Sequence, residues 1–209
     1  MPITKLSNMK KAFIIICLFT ISFTDSFSQI KAGLKAGLNF CNVKFPEPSD
    51  TKTRVAFYGG VQAEIAVGKK FILQPELLYS QKGFRYYSLG TSQEGHISIN
   101  YISVPLLAEY SLTDKLKVST GPEFNYLVNA KSRDNGVSND LSKNYKKFDV
   151  AIDLGVSYQF LKSFGINFRY SYGLTYLVEG VIMDPVGNQI GTVNLGKNRA
   201  LQAGMFYIF

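Results

Sequence analysis

The sequence predicts an all-β fold, an eight-stranded antiparallel up-and-down β-barrel that spans a membrane. Segments of ten or more residues alternate apolar with small or polar side chains along most of the chain. Because successive side chains of a strand point to opposite faces, each segment has one apolar and one polar face. Short and long connections alternate strictly between these segments, an asymmetry typical of membrane barrels. Downstream of the leader, no apolar run reaches the roughly 20 residues of a spanning helix.

The N-terminal residues have the layout of a secretory signal peptide. Lys10 and Lys11 form a short basic region, and an uncharged, mostly apolar run follows over residues 12–24. Ser26 and Ser28 then provide the small residues that a signal peptidase reads at the −3 and −1 positions. This pattern predicts cleavage after Ser28.

The leader divides the chain into two predicted parts. Residues 1–28 form an N-terminal extension and cleaved signal peptide, and residues 29–209 form the barrel. Translation can begin at Met1 or at Met9, since the first eight residues add nothing to the pattern. A membrane-anchoring helix is the alternative, but the apolar run ends at Asp25, short of the about 20 residues that a spanning helix needs.

The first four predicted strands cover residues 31–43, 54–68, 71–87 and 96–110. Each sets an apolar face against a face of polar or small residues. Pro75 lacks a backbone N–H for the ladder, so we expect a β-bulge near it. Ile97 and Ile99 are out of phase with the apolar face of the fourth strand. Either a bulge intervenes there, or this part of the strand lies beyond the bilayer.

The last four predicted strands cover residues 116–128, 148–160, 164–176 and 198–209. The sixth and seventh of the eight alternate most cleanly, with aromatic and aliphatic residues opposing Asp, Ser, Asn and Arg. Aromatic residues cluster near strand ends, where their rings suit the membrane–water interface. These residues are Phe71, Tyr79, Tyr110, Phe148, Phe160, Phe164, Tyr176, Tyr207 and Phe209.

The connections predict how the barrel is oriented. Short turns fall at residues 69–70, 113–115 and 161–163, and long loops at 44–53, 88–95, 132–145 and 178–197. Outer-membrane barrels have short periplasmic turns and long external loops. An even number of strands therefore puts both chain ends on the periplasmic side.

Composition limits the classes of protein and partner. Hydrophobic residues make up 46% and charged residues 18% of the 209 residues, which argues against disorder and against a helical membrane bundle. The formal net charge is +8, of which the first 28 residues carry +2, leaving +6. This charge suits anionic lipid headgroups, lipopolysaccharide or nucleic acid; a solvated surface with excess lysine is the alternative. We expect no nucleic-acid partner, because no basic–aromatic nucleic-acid motif occurs.

The layout resembles the small outer-membrane β-barrel family of Gram-negative bacteria, labelled porin family or PorT-like. The features that carry this resemblance are the alternation over residues 31–39, the segment 101–107, Gly121 followed by Pro122, and the terminal Phe209. The resemblance implies a barrel in the cell outer membrane, and it fixes no substrate.

The C-terminus adds a more specific sign. Tyr207 and Phe209 form an alternating aromatic ending that resembles the C-terminal signal read by the bacterial barrel-assembly machinery. We therefore expect that machinery as a partner during biogenesis.

An eight-stranded barrel has an interior just wide enough for side chains, so we expect no open pore. Charged residues on the inward face must pair, because unpaired buried charges cost several kcal/mol. We predict a structural ion-pair network in the lumen; a proton or ion path is the alternative. The predicted members of the ion-pair network are Lys31, Lys35, Glu64, Glu76, Lys82, Glu109, Glu123, Asp149, Asp153 and Arg169.

The sequence gives little support for an enzyme. His96 is the only histidine, and Ser92, Ser98 and Glu94 near it have no defined geometry. Cys41, the only cysteine after the leader, has no visible activating base and no partner for an intramolecular disulfide. No Cys/His metal cluster, P-loop or GxGxxG motif opening a helix occurs. We therefore expect no catalytic, cofactor or metal site.

The sequence thus predicts an integral outer-membrane barrel with a structural, surface-binding or secretion-accessory role. Residues 131–147 carry a net +3, so this loop can meet the anionic outer leaflet or an acidic protein partner; a loop that is merely solvated is the alternative. The expected partners are outer-membrane lipid, lipopolysaccharide and a protein at the long loops. A narrow channel or transporter and a lipid-modifying enzyme are the alternative functions. A soluble lipocalin-like barrel, with its apolar face inward, is the alternative fold.

Overall fold

The computed structural model describes residues 30–45, 51–87, 94–134, 136–183, 186 and 189–209. The predicted signal peptide lies outside these residues and stays a prediction. None of the described residues belongs to a helix long and apolar enough to cross a membrane. The strands are β1 Ile30–Lys44, β2 Arg54–Ala66, β3 Phe71–Tyr87, β4 Glu94–Ser111, β5 Leu116–Asp134, β6 Val137–Asp140, β7 Phe148–Gln159, β8 Phe164–Gly173, β9 Val178–Met183, β10 Gln189–Leu195 and β11 Lys197–Ile208.

Eight strands form a closed antiparallel ring in the order β1, β2, β3, β4, β5, β7, β8, β11. The ring closes where β11 pairs with β1, from Gly33 opposite Ile208 to Lys44 opposite Lys197. Within this ring of described strands, closure leaves no unpaired strand edge, so the ring strands make their backbone hydrogen bonds to one another. The predicted eight-stranded fold is confirmed.

The two faces of the barrel wall differ sharply in chemistry. On β8, Phe168 is 49% exposed on the outside, whereas the next residue, Arg169, is 3% exposed and points inward. Ile152 and Asp153 on β7 show the same contrast. The apolar side chains therefore cover the outer wall, and the lipocalin-like alternative, which needs them inside, is wrong.

Aromatic rings pair on the outer wall near both ends of the barrel. At the end with the short turns, Phe71 packs against Tyr110 with ring centroids 5.1 Å apart. At the opposite end, Tyr126 and Phe148 are 5.2 Å apart. We call these the turn end and the loop end. The rings lie where interfacial girdles occur in membrane barrels.

Two of the predicted long loops contain strands that the alternation did not indicate. β5 continues to Asp134, six residues beyond its predicted end at 128, because this part pairs with β4 on one side and with β6 on the other. β9 and β10 form a separate two-stranded hairpin within the predicted loop 178–197. Local pairing provides hydrogen-bond partners for backbone groups of these long connections.

The bulge expected at Pro75 is absent. Gln62 pairs with Glu76 and Ile65 pairs with Leu73, so the register is the same on both sides of the proline. The proline removes one ladder donor without adding a residue to the strand.

A register shift occurs instead between β4 and β5. Asn100 lies opposite Asn129, but Tyr101 lies opposite Leu127, so Val128 is an extra residue in β5. A bulge of this kind exchanges the inward and outward sides of the strand beyond it.

One inward tyrosine depends on two glycines of neighbouring strands. A Cβ atom added at Gly37 would lie 2.8 Å from Cε1 of Tyr58, and one added at Gly204 would overlap the Tyr58 hydroxyl. The close approach buries Tyr58, whose hydroxyl accepts a 3.1 Å hydrogen bond from Nδ2 of Asn167.

Candidate functional site: the lumen and the loop end

Glu76 is the centre of the polar lumen. Lys35 Nζ donates to its Oε1 at 2.8 Å, and Arg169 donates to both of its carboxylate oxygens, at 2.9 and 2.6 Å. Gln74 Nε2 donates to the same carboxylate at 2.6 Å, and Arg169 also lies 3.5 Å from Asp153. Such a bidentate guanidinium–carboxylate pair is strong and fixed in geometry.

Two further groups of charges lie in the same interior. Lys82 Nζ lies 2.5 Å from Oε1 of Glu123, and both side chains are almost completely buried. Lys117 Nζ lies 2.6 Å from Glu64 and 3.5 Å from Glu109. One lysine thereby serves two carboxylates.

Asp149 uses hydrogen bonds in place of an ion pair. Thr175 Oγ1 donates to its Oδ1 at 2.6 Å, and Asn198 Nδ2 donates to its Oδ2 at 2.8 Å. Asn198 Nδ2 also donates to the hydroxyl of Tyr101 at 3.2 Å. These contacts form the polar layer next to the apolar part of the interior.

The structure buries nine of the ten residues predicted for the lumen network. They are Lys35, Glu64, Glu76, Lys82, Glu109, Glu123, Asp149, Asp153 and Arg169. Lys31 is the exception, and its assignment to the network is corrected here. Lys31 is the second residue of β1 and lies exposed at the turn-end rim, beside Lys115 and Lys162. It is therefore outside the packed interior of the barrel.

The sequence reasoning missed Lys117, although the signal was present. Lys117 precedes Ser119 by two residues and shares its inward side. Extending the alternation by one step toward the start of β5 would have found it. Lys117 provides the cation for Glu64 and Glu109.

The loop-end half of the interior is apolar, and the sequence reasoning did not predict this. We call the buried cluster the apolar plug; it consists of Val43, Phe84, Ile99, Tyr101, Leu127, Ala130 and Leu177. Ile97 packs against it. Ile97 and Ile99 are out of phase with the outward apolar residues of β4 because they lie on its inward face. That face is polar nearer the turn end and apolar near the loop end.

The interior leaves little free space within the charged layer. A cavity of about 10 Å³ lies between Lys35, Glu64, Glu109 and Arg169. This volume is close to the minimum that holds one water molecule.

The basic segment 131–147 contacts the β9–β10 hairpin. Lys146 Nζ lies 3.7 Å from Glu179 and donates to Asn194 at 2.8 Å. Tyr145 forms a β-bridge with Val178 and packs against the plug, and burial raises its pKa to about 12. The exposed cations of this surface are Lys131, Arg133, Lys143, Lys146 and Lys147.

One of the two carboxylates of this segment, Asp140, is held locally. Ser142 donates its backbone N–H to Oδ1 of Asp140 at 2.7 Å. Hydrogen bonds from Ser142 lower the pKa of Asp140.

The residues considered for catalysis are not assembled with one another. His96 pairs across the sheet with Arg85 and Arg133, and it makes no hydrogen bond to a hydroxyl, thiol or carboxylate of the described residues. Cys41 is buried, and its thiol donates to the Arg54 carbonyl at 3.2 Å. Ser92 and the Glu94 side chain lie outside the described residues. The absence of enzymatic activity stays a prediction.

The described part of the chain contains no group of three or more His, Cys, Asp or Glu side chains able to hold a metal ion. At the C-terminus, Tyr207 packs against Phe164 and Phe209, with ring centroids 4.7 and 5.2 Å apart. These contacts do not test the role of Tyr207 and Phe209 as an assembly signal, which stays a prediction.

A closed barrel with an apolar outer wall, aromatic rings at both ends and a charged interior defines the class of outer-membrane β-barrel proteins. Residues 22–179 match the profile of the family described as outer membrane protein beta-barrel domain, and the chain belongs to this family. The predicted outer-membrane location is thereby confirmed, whereas the narrower PorT-like label stays a prediction. No curated protein matches the chain.

Solved structures with the same fold share little sequence with this chain. Ail of Yersinia pestis, in complex with the heparin analogue sucrose octasulfate, has a TM-score of 0.51 at 15% identity, covering 87% of this chain and 99% of Ail. Neisserial surface protein A has a TM-score of 0.51 at 13% identity, covering 86% and 97%. The Escherichia coli protease OmpT has a TM-score of only 0.40 at 7% identity, covering 86% and 93%. At these identities the likeness shows the fold alone.

Proposed function

We propose that this chain is a closed outer-membrane barrel that binds an acidic protein partner at its loop end and passes no solute through its lumen. The observation that carries the proposal is that side chains fill the interior along the barrel axis, from the turn end to the loop end. Ion pairs around Glu76 and Glu123 fill the turn-end part, and the apolar plug fills the part beyond. Function then depends on the surfaces of the barrel.

The chemistry of the loop end supports an acidic partner. Five exposed cations in residues 131–147 face only Asp134 and Asp140 within that segment. The bridge from Tyr145 to Val178 and the contact of Lys146 with Glu179 tie the segment to the β9–β10 hairpin. A basic surface held in this way attracts acidic partners and favours their association at low salt.

A closed lumen predicts no steady ionic current across planar lipid bilayers that contain the purified, folded barrel. A variant that carries Tyr101→Gly and Leu127→Gly loses two large side chains of the plug, but the ion pairs around Glu76 and Glu123 still fill the turn-end part. This variant is therefore also expected to pass no steady current. Stable current steps from the unaltered protein would contradict the closed lumen and favour a narrow channel.

The basic surface predicts binding to an acidic polymer that depends on the loop lysines. Replacing Lys131, Arg133, Lys143 and Lys147 with glutamine should weaken binding of poly-glutamate several-fold at low ionic strength, since exposed charges act mainly through long-range attraction. Fluorescence anisotropy of labelled poly-glutamate measures the change.

The matched control removes four cations at the turn end. Lys69, Lys70, Lys115 and Lys162 are exposed there, and their replacement with glutamine causes the same change in net charge. Equal binding by both quadruple variants would show that the loop end has no special role.

A further inference from the structure

Three outward-facing cations meet on the barrel wall at the loop end. Lys44 lies directly opposite Lys197 in the β1–β11 register, and Arg199 is two residues further along β11. Like charges directly opposite each other on neighbouring strands are destabilising. The arrangement is therefore expected to need a counter-charge.

The described part of the chain provides no such counter-charge. Lys44, Lys197 and Arg199 form none of the described ion pairs, and Nε of Arg199 is buried without a hydrogen-bond partner. A cavity of about 210 Å³ lies among these three cations and Phe45, Tyr172 and Tyr176, and none of its described lining residues is a carboxylate.

Aromatic faces hold two of the cationic groups in place. Lys197 Nζ lies 4.6 Å from the ring centre of Tyr176, and the guanidinium carbon of Arg199 lies 5.2 Å from that of Tyr172. A cation–π contact orients the cation. It forms no hydrogen bond with the N–H groups of that cation. The donors therefore stay available to an anion.

The height of the cluster identifies the kind of anion. One step toward the turn end, Phe40, Leu201 and Tyr170 form a row across β1, β11 and β8, and all three are exposed on the outer wall. Arg199 and Tyr172 lie two residues further along their strands, a rise of about 7 Å. On β1 and β11 the cations thus begin where the exposed apolar residues end, and we infer that this is the level of the lipid phosphate groups.

We propose that Lys44, Lys197 and Arg199, with Tyr172 and Tyr176, bind a phosphate group of a lipid in the outer leaflet, which in this membrane is lipopolysaccharide. Arg199 donates in the planar geometry that suits phosphate oxygens, and the two lysines act as point charges. This site lies on the wall of the barrel and goes beyond the proposed function of the loop end. Each of the two surfaces can be altered without changing the other.

The test compares folded barrels reconstituted into nanodiscs of phosphatidylcholine with added lipid A, either phosphorylated or dephosphorylated. Native mass spectrometry counts the lipid A that stays bound to the barrel. The Lys44→Gln, Lys197→Gln, Arg199→Gln triple variant should retain phosphorylated lipid A about tenfold less than the unaltered barrel, since charge-assisted hydrogen bonds are lost. The unaltered barrel should prefer the phosphorylated form.

The control variant carries Lys69→Gln, Lys70→Gln and Lys115→Gln at the turn end and has the same net charge as the test variant. It should retain lipid A like the unaltered barrel, and gel mobility before and after heating verifies that both variants are folded. Equal loss in both variants, or no loss in the test variant, would overturn the site. The proposed lipid site would also be overturned if inorganic phosphate bound the barrel as tightly as lipid A, because the site would then bind a free anion and not a lipid. Poly-glutamate binding by the test variant reports separately on the loop end.

Discussion

Replacing Arg169 with leucine is expected to lower the free energy of unfolding of the barrel by about 3–5 kcal/mol, the usual cost of removing one partner of a buried ion pair. Glu76 would lose both hydrogen bonds from the guanidinium, which are 2.9 and 2.6 Å long. Asp153 would lose the cation that lies 3.5 Å away. Leucine fills part of the space but provides no donor for either carboxylate.

Urea unfolding in lipid vesicles, followed by circular dichroism, measures this loss; the chain has no tryptophan to follow. Arg133→Leu is the matched control, because Arg133 is exposed and its replacement should change stability by less than about 0.5 kcal/mol. Arg169→Lys keeps the charge but not the bidentate geometry, so its loss should be intermediate. Equal unfolding midpoints for Arg169→Leu and the unaltered barrel would refute a structural role for the network.

The alternation of side chains was sufficient to predict the ring of strands and most of its inward charges. A residue such as Asp153 is assigned to the lumen by its position between Ile152 and Leu154, which need lipid contact. This inference needs only the two-residue period of a strand and a single apolar surface. The inference fails at Lys31. The two-residue period predicts which side of the wall a residue faces, but not how far along the barrel axis it lies.

The interior changes from polar to apolar along its length, and the period of two cannot show this. Ile99 follows the same inward side as Ser103, yet one belongs to the plug and the other to the polar part. The bulge at Val128 then reverses the sides of β5. Beyond it Ala130 points inward, whereas unbroken alternation from Leu127 would have turned Asn129 inward.

The proposed phosphate site depends on pairing between distant parts of the chain. Lys44 and Lys197 are 153 positions apart in the sequence and become neighbours only through the closure of β1 on β11. Their register is fixed by contacts along both strands, including the close approach of Gly37 and Gly204 to Tyr58. A scan of the sequence for local basic clusters therefore finds residues 131–147 and overlooks the three cations on the wall.

Replacing Leu127 with alanine is expected to lower the free energy of unfolding by about 2–5 kcal/mol, because the plug would lose apolar contacts and keep a cavity. Leu127 is 1% exposed and lies inside the ring, where Tyr101 faces it across the β4–β5 pair. Closed strands on all sides restrict the relaxation that could fill the space, since each strand is held by two neighbours.

The matched control is Leu106→Ala on β4, where the leucine is 41% exposed on the outer wall. Lipid chains are as apolar as leucine and can move into the space, so this variant loses apolar transfer free energy without an empty cavity. Urea unfolding in the same vesicles should therefore show a clearly larger loss for Leu127→Ala than for Leu106→Ala. Equal losses would mean that lipid or other side chains fill the space at Leu127, and the plug would then not be a rigid closure of the lumen.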